Sequence, residues 1–228
     1  DSAEALNHNG KFEEGESSAC VFDTDGDFIA DGTEMGLTEF LNDPDGDGPL
    51  LGTDPSIFIP DNDPSTRTLV NDSDSDDDGL RDGEEDMNVD GVVDPTETNP
   101  LNPDSDGDGI LDGTESGLAA GAPEYPSSFV YGTDLSIFVP DKDPSDTTNP
   151  LSSDTDGDGF LDGEEDLNRN GRVDGGERHA GSSFDGGIDS GLNYLPGGSG
   201  SFLGSFDITG NGLLDSISSV NSANSDIE

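Results

Sequence analysis

The chain has 228 residues, with 54 Asp and Glu against 7 Lys and Arg, a formal charge of −47, no Trp and only 28% apolar residues. Such a composition excludes an ordinary globular core, because so little apolar burial does not offset the entropy of ordering the chain. It also excludes docking on nucleic acid phosphates, and no apolar run approaches the roughly 20 residues of a membrane helix. The acidic residues are nevertheless in register with Gly, which a solvated acidic tail does not require. That register predicts a chain whose folding depends on bound cations.

The register is that of a twelve-residue calcium loop of the EF-hand type. Oxygen side chains stand at positions 1, 3, 5, 9 and 12, Gly at 6 permits a sharp bend, and position 7 offers its carbonyl. In chain order, 4–16 (EALNHNGKFEEGE) places Asn7, Asn9, Gly10, Glu13 and Glu16 on positions 3, 5, 6, 9 and 12, with Ala5 at position 1. Either this loop is empty, or Asp1, water or a neighbouring subunit supplies the lost oxygen. The start at Asp1 rather than Met reads as a processed or excised form.

The first nearly full loop, 23–34 (DTDGDFIADGTE), offers Asp23, Asp25, Asp27, Asp31 and Glu34. Phe28 stands where Gly belongs, at a cost of about 1 kcal/mol for a side chain at positive φ, which predicts a distorted site. A short helical turn is expected at 37–41, and Asp43, Asp45 and Asp47 form a partial site with Leu51 at position 9. Next, 56–59 (SIFI) reads as a short strand stopped by Pro60. Asp61, Asp63 and Ser65 come after it, either as a further partial set or as a polar turn.

The richest stretch is 74–97, two loops without a spacer. Asp74, Asp76, Asp78, Gly79, Asp82 and Glu85 fill the first, and Asp86, Asn88, Asp90, Gly91, Asp94 and Glu97 the second. Because the loops abut, no helix pair can flank each one, so a calmodulin-like helical switch is not expected. The pattern then returns. Loop 104–115 (Asp104, Asp106, Asp108, Asp112, Glu115) matches 23–34 at an offset of 81 residues. The segment 132–145 matches 52–65 at 80. Loops 154–165 (Asp154, Asp156, Asp158, Asp162, Glu165) and 166–177 (Asp166, Asn168, Asn170, Asp174, Glu177) match 74–97, also at 80. The unit of about 80 residues thus divides the chain into a partial repeat at 1–19, repeats at 20–100 and 101–180, and a Gly/Ser-rich segment at 181–228. A variable insert lies at 119–130. Apolar residues at position 8 (Leu111, Leu161, Val93, Val173) are expected to build small local cores. Cys20 aligns with Leu101, and it reads as a small buried apolar residue or as a site of intersubunit disulfide or lipid attachment.

In 181–228 the stretch 207–218 (DITGNGLLDSIS) keeps positions 1, 3, 5, 6 and 9, but Ser218 cannot close a shell with two oxygens. This segment is either a flexible linker or an extended piece that packs on the repeats or on another chain. Asn71-Asp72-Ser73 is a lone glycosylation sequon. Nothing in the sequence assembles a catalytic group. Carboxylates placed as ligands are held ionised by the metal, and His8 and His179 are isolated in loops, so no enzyme is expected.

The run DSDGDGILDGTE, the links TNPLNPD and TNPLSSD and the abutting loops resemble thrombospondin type 3 repeats in their bacterial form, over roughly 23–177. The resemblance implies a mostly irregular, elongated fold of tandem calcium-binding loops, with a few short strands and helical turns, of the kind found in adhesion and surface proteins. Loops 86–97 and 166–177 also look like dockerin loops, which recognise cohesin modules, although Thr98–Pro103 cannot form the helix that succeeds a dockerin loop. About six calcium ions are expected from the full loops, and up to ten with partial sites. Loops of this kind fill where calcium is millimolar, which points outside the cell or to its surface. Two uses are open: a structural subunit that joins copies of itself head to tail, and a spacer or adhesion module of a larger surface protein that meets other surface proteins.

Overall fold

Among the described residues, helical structure is confined to places where a loop closes. The computed structural model describes residues 13, 16–18, 21–39, 57–125 and 129–183, together with the backbone of two strands. The chain divides into two units, Asp1–Gly181 and Ser182–Glu228. In the first, four single helical turns occur at equivalent places: α1 (Asp31–Glu34), α2 (Asp82–Glu85), α3 (Asp112–Glu115) and α4 (Asp162–Glu165). Each is positions 9 to 12 of a loop, with the sequence DGTE or DGEE. Position 8 is extended at the start of each turn. In α2, the Glu84 carboxylate accepts the Arg81 N–H (3.1 Å), satisfying a donor the short turn would leave open. In the second unit, β1 (Gly204–Phe206) and β2 (Asp215–Ile217) pair antiparallel, with Ser205 opposite Ser216.

The bend at position 6 is left-handed in every full loop, as the Gly there requires: φ is 106° at Gly79, 75° at Gly91, 100° at Gly109, 99° at Gly159 and 71° at Gly171. Phe28 adopts φ 91° at the same place. The expected distortion of that loop does not occur, because Asp23, Asp25 and Asp27 still converge. The exposed Phe28 ring is covered on one side by the Arg81 guanidinium, 5.6 Å from its centroid.

Other expectations are corrected. The segment 57–59 forms no strand, nor does its copy at 137–139. Phe58 is fixed by its side chain, the ring lying where a Cβ on Gly32 would stand, and the Thr33 hydroxyl donates to the Ile59 carbonyl (2.6 Å). In the copy, Thr114 bonds the Val139 carbonyl in the same way (2.5 Å). The helical turn lies at Asp31–Glu34, and Leu37 and Thr38 are irregular, because the turn is the closing part of loop 23–34 and ends with it. Within the loops the buried apolar residues are Ile29 and Ile110 at position 7 (3% and 2% exposed) and the small Ala30 at position 8, whereas Val93, Leu161 and Val173 at position 8 and Phe160 at position 7 are more than a third exposed. The extended backbone at positions 7 to 9 points the position 7 and position 8 side chains in opposite directions. Position 7 meets the next loop, as Ile29 meets Gly83 at 3.2 Å from an ideal Cβ. Cys20, Asn7, Asn9, Asp43, Asp45, Asp47 and His8 lie outside the described residues. Leu101, with which Cys20 aligns, is 43% exposed.

Buried apolar side chains are few: Ile29, Ala30, Phe58, Ile110, Val130, Phe138 and Ala180. Buried acids outnumber them. A fold that hides carboxylates in preference to hydrocarbon requires a compensating charge.

Candidate metal centres

Each loop orients its acids through its own backbone. The position 1 carboxylate accepts N–H groups from the bend: Asp23 from Gly26 (2.7 Å) and Phe28 (3.1 Å), Asp104 from Gly107 (2.8 Å) and Gly109 (2.9 Å), Asp154 from Gly157 (2.8 Å) and Gly159 (3.1 Å). Asp74, Asp86 and Asp166 do the same with Gly79, Gly91 and Gly171. Position 5 accepts the N–H of position 7, as Asp27 does from Ile29 (2.7 Å) and Asp108 from Ile110 (2.8 Å). These bonds leave oxygens aimed inward. The position 3 acids Asp25, Asp76, Asp106 and Asp156 all carry a buried oxygen without a hydrogen-bond partner.

Oxygens of Asp23, Asp25 and Asp27 lie within 4.8 Å of one another, as do those of Asp74, Asp76 and Asp78, and of Asp104, Asp106 and Asp108. These are the position 1, 3, 5 triads that the spacing predicts. The structure adds a second set that the spacing does not predict. Asp27 and Glu34 of one loop converge with Asp82 of the next, and Asp78 and Glu85 converge with Asp112, again within 4.8 Å. Position 9 therefore serves the preceding loop. All six of these side chains are buried, and Asp27, Glu34, Glu85 and Asp112 each hold an unpartnered buried oxygen.

Close stacking of the loops makes this possible. The Gly at position 10 has no room for a Cβ: the carbonyl oxygen of Asp27 occupies that place at Gly83, that of Asp78 at Gly113 and that of Asp108 at Gly163. The Gly113 N–H donates to Asp78 Oδ2 (3.2 Å) and the Gly163 N–H to Asp108 Oδ2 (3.0 Å), so loops 23–34, 74–85, 104–115 and 154–165 succeed one another by the same contact. A residue outside the template aims position 9. The position 2 N–H donates to it in the pairs Thr24–Asp31, Ser75–Asp82, Ser105–Asp112 and Thr155–Asp162, and the hydroxyls of Thr24, Ser75 and Thr155 do likewise. Recurrence of Thr24, Ser75, Ser105 and Thr155 at one offset was a signal available in the sequence.

Loops 86–97 and 166–177 are built differently. Position 9 stays local, with the Asp94 N–H donating to Glu97 (3.0 Å) and the Asp174 N–H to Glu177 (2.7 Å), while Arg172 bonds Asp174. Asn88 and Asn168 each donate to the position 9 acid (3.1 Å), and Asn170 accepts the Arg172 N–H (3.0 Å). Glu13 and Glu16 share the pattern: the Glu13 N–H donates to Glu16 (3.2 Å). These loops pack on the connectors, where the Asn62 N–H donates to the Asp90 carbonyl and the Lys142 N–H to that of Asn170, both 2.8 Å. Asp63 and Ser65 form a polar turn, but Asp61 is buried with an unpartnered oxygen, as is its copy Asp141.

The electrostatics match this geometry. Burial first, and then neighbouring carboxylates, push Asp27 up to about 9, Asp78 to about 8, and Asp25 and Asp76 to about 7. Glu85 is pushed to about 11 by the same causes, and Glu34 rises well above its ordinary value. Such groups hold protons at neutral pH or give them up to a cation. No protein-family model, curated protein or solved structure matches the chain. The donor set fits a hard divalent cation: it is all oxygen, clustered and buried, with free lone pairs aimed inward. Clusters of Asp and Glu close enough to hold metal ions are therefore part of this fold. Among the described residues, no helix is long and apolar enough to cross a membrane.

Proposed function

We propose that the chain is an extracellular or cell-surface structural protein, folded around calcium and assembling head to tail into fibres or a matrix, with the architecture of bacterial thrombospondin type 3 repeats. The observation that carries this reading is the second acidic set, in which Asp82 and Asp112 reach the preceding loop's Asp27/Glu34 and Asp78/Glu85. An ion held there cross-links two loops, so metal takes the place of the missing apolar core. Calcium is favoured over magnesium by the oxygen count and by the twelve-residue spacing, which suits a large, flexible shell. Six full loops and the two inter-loop sites give roughly eight ions, one per site. Such ions make a rigid element, not a chemical centre, so the protein is not an enzyme in this reading.

Negative-stain microscopy and light scattering on the purified chain, in millimolar calcium and then in excess chelator, test the proposal. Fibres that vanish on chelation are the expected result. A compact monomer that expands in chelator would keep the calcium fold and replace assembly by the spacer role. Indifference to chelator in both measurements would sink the metal reading altogether.

A further inference from the structure

The junction between the two repeats is a built interface. Loop 74–85 receives α3 and the connector beyond it. The Gly113 turn sits on the Asp78 carbonyl and the Phe138 ring lies over Gly79, 2.5 Å from where a Cβ would stand. The Asp134 N–H donates to Asp77 (2.7 Å) and the Thr133 hydroxyl bonds Asp74. Asp74 and Asp78 are wholly buried as a result.

Loop 154–165 is the same loop 80 residues on, with the same bend at Gly159 and the same bond from the Gly159 N–H to the position 1 acid. Its receiving face is open. Among the described residues, nothing stands within 4 Å of a Cβ on Gly157 or Gly159. Gly159 is exposed where Gly79 is buried, Asp158 is half-buried where Asp78 is closed off, and Phe160 is 41% exposed. The matching half of the junction exists at the other end of the repeats. Asp31, Gly32 and Phe58 match Asp112, Gly113 and Phe138 in sequence, and the connector is pinned to the turn by the same Thr-to-carbonyl bond. In the single chain the Phe58 ring fills the Gly32 gap that the Asp78 carbonyl fills at Gly113, so docking exchanges that ring for a carbonyl of the second copy. The Gly32 N–H, whose counterpart in Gly113 donates to Asp78, has no acceptor among the described residues.

We infer that the Gly157–Phe160 face of one copy receives the Asp31–Gly32 turn of a second copy, repeating between chains the contact made within the chain at Asp78–Gly113. This rests on the head-to-tail reading and names its contact. It also gives assembly a metal site that a single chain does not complete. Asp158 and Glu165 stand where Asp78 and Glu85 stand, and the Asp31 of the second copy takes the place of Asp112. Donor and acceptor faces lie on different loops, so the contact is heterologous and propagates as a filament wherever its rotation does not close a ring.

Gly159→Asn places a side chain on the receiving face, and Asn is among the residues that best tolerate positive φ. Phe28 shows that a side chain at this position leaves the acidic triad assembled. Gly107→Asn is the control, at positive φ (82°) in another loop and with open space around it. Sedimentation of the full chain in millimolar calcium is expected to show Gly159→Asn weakening self-association at least ten-fold, with Gly107→Asn unchanged and calcium stoichiometry equal in both when read on dilute monomer. Hydrogen exchange at the Gly159 and Phe160 amides, each bonded to a carboxylate of its own loop, should be slower in assemblies than in dilute monomer. Equal association of all three proteins would overturn the contact while leaving head-to-tail assembly standing. A wild-type chain that stays monomeric at every concentration would remove both. Exchange equally slow in dilute monomer and in assemblies would count against the inference.

Discussion

Asp112→Asn separates a metal ligand from a structural hydrogen-bonding group, because the two roles predict opposite signs in calcium and in chelator. The substitution keeps shape and the acceptor for the Ser105 N–H (2.8 Å), but removes charge from a buried carboxylate whose Oδ2 is unpartnered. In calcium, one inter-loop site is lost. A site held at a hundred times its dissociation constant contributes about 2.7 kcal/mol, which for a unit of this size lowers Tm by roughly 5–10 °C. Without metal the sign reverses. Carboxylate oxygens of Asp78, Glu85 and Asp112 lie within 4.8 Å, where two full charges repel by about 3.5 kcal/mol at an effective dielectric constant of 20. Asp78, near 8, and Glu85, near 11, are mostly protonated at pH 7, which reduces the relief to about 0.3 kcal/mol. Asn should therefore destabilise the calcium form and slightly stabilise the chelated form, read by thermal unfolding with and without chelator. An equal loss in both conditions would refute Asp112 as a ligand and leave it as the partner of Ser105.

Acidification should act in opposite directions on the two forms. In calcium-free buffer, the folded-state values of Asp76 (about 7), Asp78 (about 8) and Asp27 (about 9) exceed their unfolded value of 3.8, so stability is greatest below about pH 4 and falls as pH rises to 7–9. In calcium the ligands must be deprotonated, so stability should fall on acidification instead; circular dichroism melts across pH 4–9 read both. Gly113→Ala sets a methyl against the Asp78 carbonyl oxygen, and prising these loops apart should cost about 1–3 kcal/mol and remove one calcium in titration calorimetry. Phe28→Gly relieves φ 91° and loses the Arg81 contact, for a net gain of about 0.5 kcal/mol in thermal unfolding.

The loops themselves were legible because the template is local: ligands at fixed offsets and Gly at the bend are set by one turn of chain, and this produces the left-handed φ from Gly79 to Gly171. What the template hides is which acids share an ion. Position 9 looks like part of its own loop, yet Asp82 and Asp112 turn to the loop before, because Gly at position 10 lets the turns stack without a side chain between them. The Gly at position 10 in DGTE and DGEE was printed in the sequence, but its reason is a contact between segments 35 to 56 residues apart (113 − 78 and 83 − 27). The SIFI strand failed for a related reason. β-branched and aromatic residues fit a pleated surface, but here the Phe ring fills a glycine gap, and no neighbouring strand is offered to Phe58 or Phe138.

Asp27 and Asp78 each belong to two acidic sets, their own triad and the inter-loop set. A carboxylate shared by two cations is better neutralised than one facing a single cation, and filling the first site removes part of the burial and repulsion that hold these groups protonated. Occupancy of a triad should then favour the inter-loop site beside it, and that site fixes the next loop's turn through Asp82 or Asp112. Coupling of this kind passes along the stack from neighbour to neighbour, as in repeat proteins whose stability is a sum of nearest-neighbour terms. Small cores at Ile29 and Ile110 do not supply that continuity; the shared carboxylates do.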